Sequence, residues 1–170
     1  EGRMPAQKNV SPMMGLRAIT LGACVWLNIA GAQENGGSKG VVPEAERRLA
    51  ADRGINGPTQ NQGIKSIAVL GTVDLGSEFA AMNGRQLRAR ELVIEAGGVV
   101  AVHQHDARPG MAYILEGEIV EHRNDQSSPI VHKQGSVAFE KTGVAHWWEN
   151  KSLVPVRALV VDVVPIEQKR

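Results

Sequence analysis

From residue 64 onward, short runs rich in Val, Ile and Leu recur at even spacing, and a turn signal closes nearly every one. The runs are IKSIAVLGTVDL, RQLRARELVIEA, VVAVHQH, MAYILEGEIVEH, PIVHKQG, SVAFEKTG, HWWEN and VPVRALVVDVVP. Between them stand Gly76-Ser77, Asn83-Gly84, Gly97-Gly98, Pro109-Gly110, Asn124-Asp125, Ser128-Pro129 and Gly143. β-branched side chains suit a pleated surface. Short strands at even spacing with turn chemistry between them define an all-β sandwich or barrel. No internal repeat or low-complexity tract interrupts the pattern.

Upstream of this region the pattern changes. Pro43 followed by EAERRLAADRG predicts a short helix, with acids near its start, Arg47, Arg48 and Arg53 later, and Gly54 as its stop. Residues 33–40, QENGGSKG, read as a linker, and 55–63 as a further loop. The first 32 residues have a basic start at Arg3, Lys8 and Arg17, an apolar stretch from Leu16, and the small residues Ala30-Gly31-Ala32. That is the pattern of a secretory signal peptide cut after Ala32, which predicts a secreted or periplasmic protein. Leu21-Gly22-Ala23-Cys24 leaves open a lipidated cysteine, and a buried N-terminal helix is the plain alternative. A membrane-spanning helix needs about twenty apolar residues, and this run is shorter and broken by Asn28. The expected organisation is thus 1–32 signal, 33–63 linker with a short helix, and 64–170 β-barrel.

At 170 residues the chain has room for one domain with a core and not for two ordinary ones. Its formal charge of +1, with no stripe of Lys or Arg, argues against nucleic acid as a partner. The single cysteine excludes an internal disulfide and a CxxC zinc site.

The chemistry is concentrated in histidines. His103 and His105 are two apart on a predicted strand, so both face one side of it while Gln104 faces the other. His146 follows after a turn at Gly143. A His-x-His pair alone is weak, since two polar residues on an exposed strand give the same pattern. The surrounding spacing is more specific. Gly97 is followed by five residues and then His103-x-His105, and Gly110 by six residues and then Gly117. A second block runs Gly135, five residues, Lys141-Thr142-Gly143, two residues, His146, three residues, Asn150.

These two blocks resemble the two motifs of the cupin superfamily, G-x5-H-x-H-x3–4-E-x6-G and G-x5-P-x-G-x2-H-x3-N. The resemblance implies a jelly-roll β-barrel of six to eight strands and one divalent metal held by His103, His105 and His146. Two positions depart from it. Lys141 stands where the family has Pro, in a turn. Gly110 stands where the family has its metal-binding glutamate, so the expected site is three histidines without a carboxylate. Neutral imidazoles suit iron, zinc, copper and nickel without choosing between them; iron is the expected metal, with zinc, manganese, nickel or copper as alternatives. Three ligands on one side of an ion leave positions open for water, substrate or dioxygen.

Alternation along the strands nominates Trp148 as a pocket wall, two on from His146, although a core tryptophan is equally consistent. Arg108, in the loop after His105, is nominated as a partner for a substrate carboxylate, against the plain reading of a solvated loop arginine. Tyr113 falls on the opposite strand face and reads as packing. Glu116, Glu118, His122 and His132 read as surface, Asp106 as a remote fourth ligand, and Asn150 as a turn anchor. Two functions remain open. One is a metal-dependent oxygenase of a small organic acid, diketone or enol, since some three-histidine cupins are dioxygenases. The other is a non-catalytic module binding a small ligand or a metal. The apolar ending VRALVVDVVP reads as an edge needing cover, which predicts a homodimer.

Overall fold

The computed structural model describes residues 44–166. The expected signal segment 1–32 and the linker residues 33–43, Pro43 included, lie outside these. The elements in order are α1 (Glu44–Asp52), β1 (Gln62–Asp74), α2 (Leu75–Glu78), a 3₁₀ turn at Ala80–Met82, β2 (Arg85–Gln104), β3 (Gly110–Glu116), β4 (Glu118–Arg123), β5 (Ile130–Lys133), β6 (Val137–Glu140), β7 (Ala145–Glu149) and β8 (Val156–Pro165). The predicted all-β architecture is the observed one, with the predicted short helix before it.

All strand pairs are antiparallel, and the sheet branches at β2. The first half of β2 lies between β1 and β8, and β8 continues to β3 and β6. The second half pairs with β7, which continues to β4 and β5. Two packed layers therefore share one strand. Gly97-Gly98, expected as a turn between two strands, lies inside β2. Gln62 and Ile64 of β1 are two apart, yet they pair with Val99 and Ile94, five apart on β2. The surplus residues bulge out and bend the strand from one layer into the other. Gly97 has φ 72, and a Cβ on Gly98 would meet Ile94 Cγ2 at 2.7 Å, so both positions of the bend need glycine.

Period-two alternation builds the core. Val156, Ala158 and Val160 of β8 point inward with Ile94, Ala112, Ile114, Ile119, Ala138 and Trp148. A second cluster forms on the outside of β2, where Ala50 of α1 and Ile55 pack on Val102 and Ala145. This explains how Val102, on the face opposite His103, is also buried.

The C-terminal run is not an edge. β8 lies between β2 and β3, paired on both sides, with one face buried and the other half-buried. Among the described residues β1, β5 and β6 each have one neighbouring strand, and of these β1 is the longest and exposes Ile67, Leu70 and Val73. Among the described residues, no helix is long and apolar enough to cross a membrane.

Candidate metal centre

His103 and His146 are direct cross-strand partners in the β2–β7 pair. His105 follows the end of β2, where its N–H still donates to Val144 O across the same gap, at 3.0 Å. The two motifs are thus adjacent rungs of one ladder, and three imidazoles separated in sequence meet at one point. His105 and His146 are almost wholly buried, at 3% and 0% exposure. They form the one His/Cys/Asp/Glu cluster among the described residues suited to holding an ion.

Each ring has one nitrogen committed. His103 Nδ1 donates to Ala101 O at 2.8 Å, and His105 Nδ1 to Arg108 O at 3.2 Å. His146 Nδ1 donates to a carboxylate oxygen of Glu121. A carbonyl or carboxylate oxygen can only accept here, so the proton sits on Nδ1 and the neutral ring presents a lone pair at Nε2. Burial, with the neighbouring histidines adding to it, lowers the His105 pKa to about 3 and holds His103 well below the ordinary histidine range. The Nε2 atoms nevertheless approach one another closely, at 2.9 Å for His105–His146 and 3.0 Å for His146–His103. Lone pairs at that separation repel unless a cation lies between them. Three nitrogens, each about 2.1 Å from one ion along perpendicular directions, would be about 3.0 Å apart. The donor set therefore fits a divalent metal.

Glu121, from β4, supports the set from behind. It is fully buried, accepts from His146 and from His132 Nε2 at 2.7 Å, and contacts Arg123 Nη1 at 3.3 Å. Burial pushes its carboxyl up, but the hydrogen bonds from His132 and His146 outweigh that and hold it well below the usual carboxylate range. A ligating histidine oriented by a carboxylate is the common arrangement behind a metal. His132, read from sequence as surface, is 8% exposed and belongs to this network. His122 stacks on Trp147 at 3.8 Å and pairs with Glu149 at 2.6 Å, away from the ion site.

A carboxylate also stands on the ligand side, where none was expected. Glu140 of β6 is 6% exposed, with oxygens 3.4 Å from His105 Nδ1 and 3.7 Å from His146 Nε2. Burial raises its pKa, and the field of His146 offsets this only in part.

The histidines line a cavity of about 210 Å³ together with Asn61, Ile64, Leu92, Val160, Trp148, Arg90, Arg108 and Glu140. Trp148 is both core and wall: it is 3% exposed and meets His146 edge-on at 5.9 Å. Arg108 lines the cavity while its Nη2 donates to Gln104 O at 3.0 Å. Arg90, which sequence reading missed, pairs with buried Asp162 at 2.9 Å, and Arg88 holds the same carboxylate. Two buried N–H groups on lining residues, Arg90 Nε and Trp148 Nε1, have no hydrogen-bond partner among the described residues.

Other nominated residues lie elsewhere. Tyr113 does not line the cavity. Asp106 pairs with Arg53 and accepts from Gly143 N at 2.9 Å, tying the end of α1 to the β6–β7 turn. Asn150 anchors backbone, donating to Ile94 O, Glu95 O and Val154 O.

With its barrel and a His-x-His and His set at these positions, the chain belongs to the cupin superfamily, and residues 90–162 match the Cupin domain family model. Over 88 residues it is 34% identical to an oxalate-binding protein of Thermotoga maritima, covering 52% of this chain and 70% of that protein. The crystal structure of a Thermotoga maritima protein described as a predicted oxalate decarboxylase is 27% identical, with a TM-score of 0.43, over 61% of this chain and 85% of that one. An RmlC-like cupin from Shewanella frigidimarina is 18% identical, with a TM-score of 0.47, over 66% and 86% of the two chains.

Proposed function

We propose that this protein holds one divalent metal, iron foremost, on His103, His105 and His146 and binds a small organic-acid anion against it. The observation that carries the reading is the convergence of three Nε2 lone pairs at 2.9 and 3.0 Å in a cavity whose wall also holds Arg90 and Arg108. When bound, the ion supplies positive charge that polarises an oxygen donor and, if it is iron, a redox centre. The arginines offset the charge of a carboxylate. The orphan N–H groups of Arg90 and Trp148 match a ligand rich in acceptors. Ile64, Leu92, Val160 and Trp148 keep the cavity apolar on its remaining sides and limit its size. At about 210 Å³ it lies below the roughly 300 Å³ at which sites for drug-sized ligands begin. A compact diacid fits that description, and the name of the Thermotoga relative supports one.

Oxygenation of such an acid, a diketone or an enol is the catalytic form of this reading, and binding without turnover is the other. Metal content is the first test, on protein purified without added metal beside a His103→Ala/His105→Ala variant. Near-stoichiometric metal in the wild type alone supports the site, and none in either, with no uptake on titration, overturns it. Oxalate is then titrated calorimetrically into the metal-loaded and metal-free forms. Binding in the loaded form only supports an acid held on the ion. Oxygen consumption with iron-loaded protein separates the catalytic form from the binding one.

Export follows from the first 32 residues, and mass spectrometry of the protein expressed from its own start should find it beginning at Gln33. A homodimer is proposed on the long, apolar edge strand β1 rather than on β8. Light scattering that returns an 18.2 kDa particle for the intact chain, or its cleaved equivalent, would refute it.

A further inference from the structure

Gly110 of β3 has Glu140 of β6 facing it on one side and Asp162 of β8 on the other. At this position the backbone is closed to any side chain. A Cβ there would come within 2.7 Å of Val161 O and 3.0 Å of Asp162 Cβ, so a glutamate at 110 would prise β3 from β8. One strand over, at the same level, Glu140 occupies an inward position: Ala138 and Glu140 are buried, while Phe139 between them is 68% exposed. Its two oxygens straddle the edge of the cluster, one near His105 Nδ1 and the other 3.7 Å from His146 Nε2. Neighbouring ligand atoms about an octahedral ion of this size are about 3.0 Å apart. A shift of less than about one ångström, within reach of a glutamate side chain, closes that gap.

We propose that Glu140 is a fourth protein ligand of the metal, delivering from β6 the carboxylate that Gly110 cannot carry. The inference rests on the metal reading above. It changes what the site selects. Three neutral imidazoles and one carboxylate leave the ion with a single positive charge and, in a six-coordinate site, two adjacent positions. Those suit a ligand that chelates through two oxygens, as an α-oxygenated carboxylate or a compact diacid does.

The test uses full-length protein loaded with Mn²⁺, with water-proton relaxation counting the waters on the ion. Glu140→Ala should add one exchangeable water and weaken Mn²⁺ binding at least tenfold. Added acetate should displace that water and recover affinity, and Glu140→Asp should fall between the two. An unchanged water count with weaker binding would make Glu140 a positioning residue for His105 and overturn the proposal. Wild type that takes up no Mn²⁺, Fe²⁺ or Zn²⁺ would overturn the metal reading and this inference together. A variant that fails to fold leaves the decision to a crystal structure of the Mn²⁺-loaded wild type. A Glu140 oxygen within about 2.3 Å of the ion supports the proposal, and a separation beyond about 3 Å overturns it.

Discussion

His146 stands between two buried glutamates that the fold treats in opposite ways. Behind its Nδ1, Glu121 accepts from His132 and His146 and touches Arg123, and its carboxyl is held low despite complete burial. Beside its Nε2, Glu140 is almost as buried, but its neighbours are two histidine nitrogens at 3.4 and 3.7 Å, and its carboxyl is pushed up. Burial is common to both, so burial does not decide their charge. Donors decide it. Where the protein supplies donors, the glutamate is a fixed anion that aims a ring. Where it does not, the glutamate is left for something that is not a side chain to satisfy.

The comparison can be broken most forcefully at the residue between the two. His146→Ala removes a proposed ligand and a donor together, so bound metal should fall from near one equivalent to near zero by elemental analysis. The buried Glu121 charge it leaves behind should cost about 3–5 kcal/mol in urea unfolding. Glu121→Gln should cost roughly 3 kcal/mol in the same assay and weaken metal binding about 10- to 100-fold, through loss of ring orientation.

Proton linkage sharpens the contrast further. The His103 and His105 pKa values are depressed on folding, so the unfolded chain binds more protons between their folded values and about 6.5. Metal-free protein should therefore be most stable above pH 6.5. It should lose stability as pH falls, at up to about 2.7 kcal/mol per pH unit if two protons are taken up. Glu121, also depressed, adds to this loss only below its ordinary value of about 4.3. Glu140 is raised and has the opposite sign: it costs stability at high pH and relieves that cost as it protonates. Urea midpoints of metal-free protein at pH 7.5, 6 and 5 read the histidine window, with Glu140 opposing it above its ordinary value. The smallest effect belongs to Glu140→Gln, which should change metal-free stability by no more than about 1 kcal/mol. A loss matching that of Glu121→Gln would erase the distinction between the two carboxylates.

Much of this was legible because strands report through a period of two. His103 and His105 share a face for that reason, and the resemblance of the surrounding spacing to the two cupin motifs implied that His146 joins them. What the sequence hid was of two kinds. Gly97-Gly98 is a turn signal in composition, but its flanks keep the same neighbour β1, so the chain bends instead of reversing. A single sequence cannot show which strand will cover the bend. VRALVVDVVP looks like an edge because its apolarity is continuous, but an interior strand with one face buried and the other half-buried carries the same run. Glu121 and His132 fell outside both motifs, and Glu140 at an unspecified position of the second, so none drew attention. A signal existed: Glu121 alternates with Ile119, and Glu140 with Ala138, at positions where an acid would have to face inward. An acid in phase with the core asks for a partner, and that question would have found Glu121 and Glu140.

The bend in β2 has a consequence for scale. Arg90 and His103 lie on one strand, and thirteen residues of straight strand would span roughly 43 Å. Both line a single cavity of about 210 Å³. The corner at Gly97-Gly98 folds that length back on itself, so the gap between the Arg90 charge and the histidine nitrogens is fixed by covalent chain rather than by docking of separate parts. Each added or deleted residue in the bulge would recalibrate that gap and, on the proposed function, the length of acid that fits it.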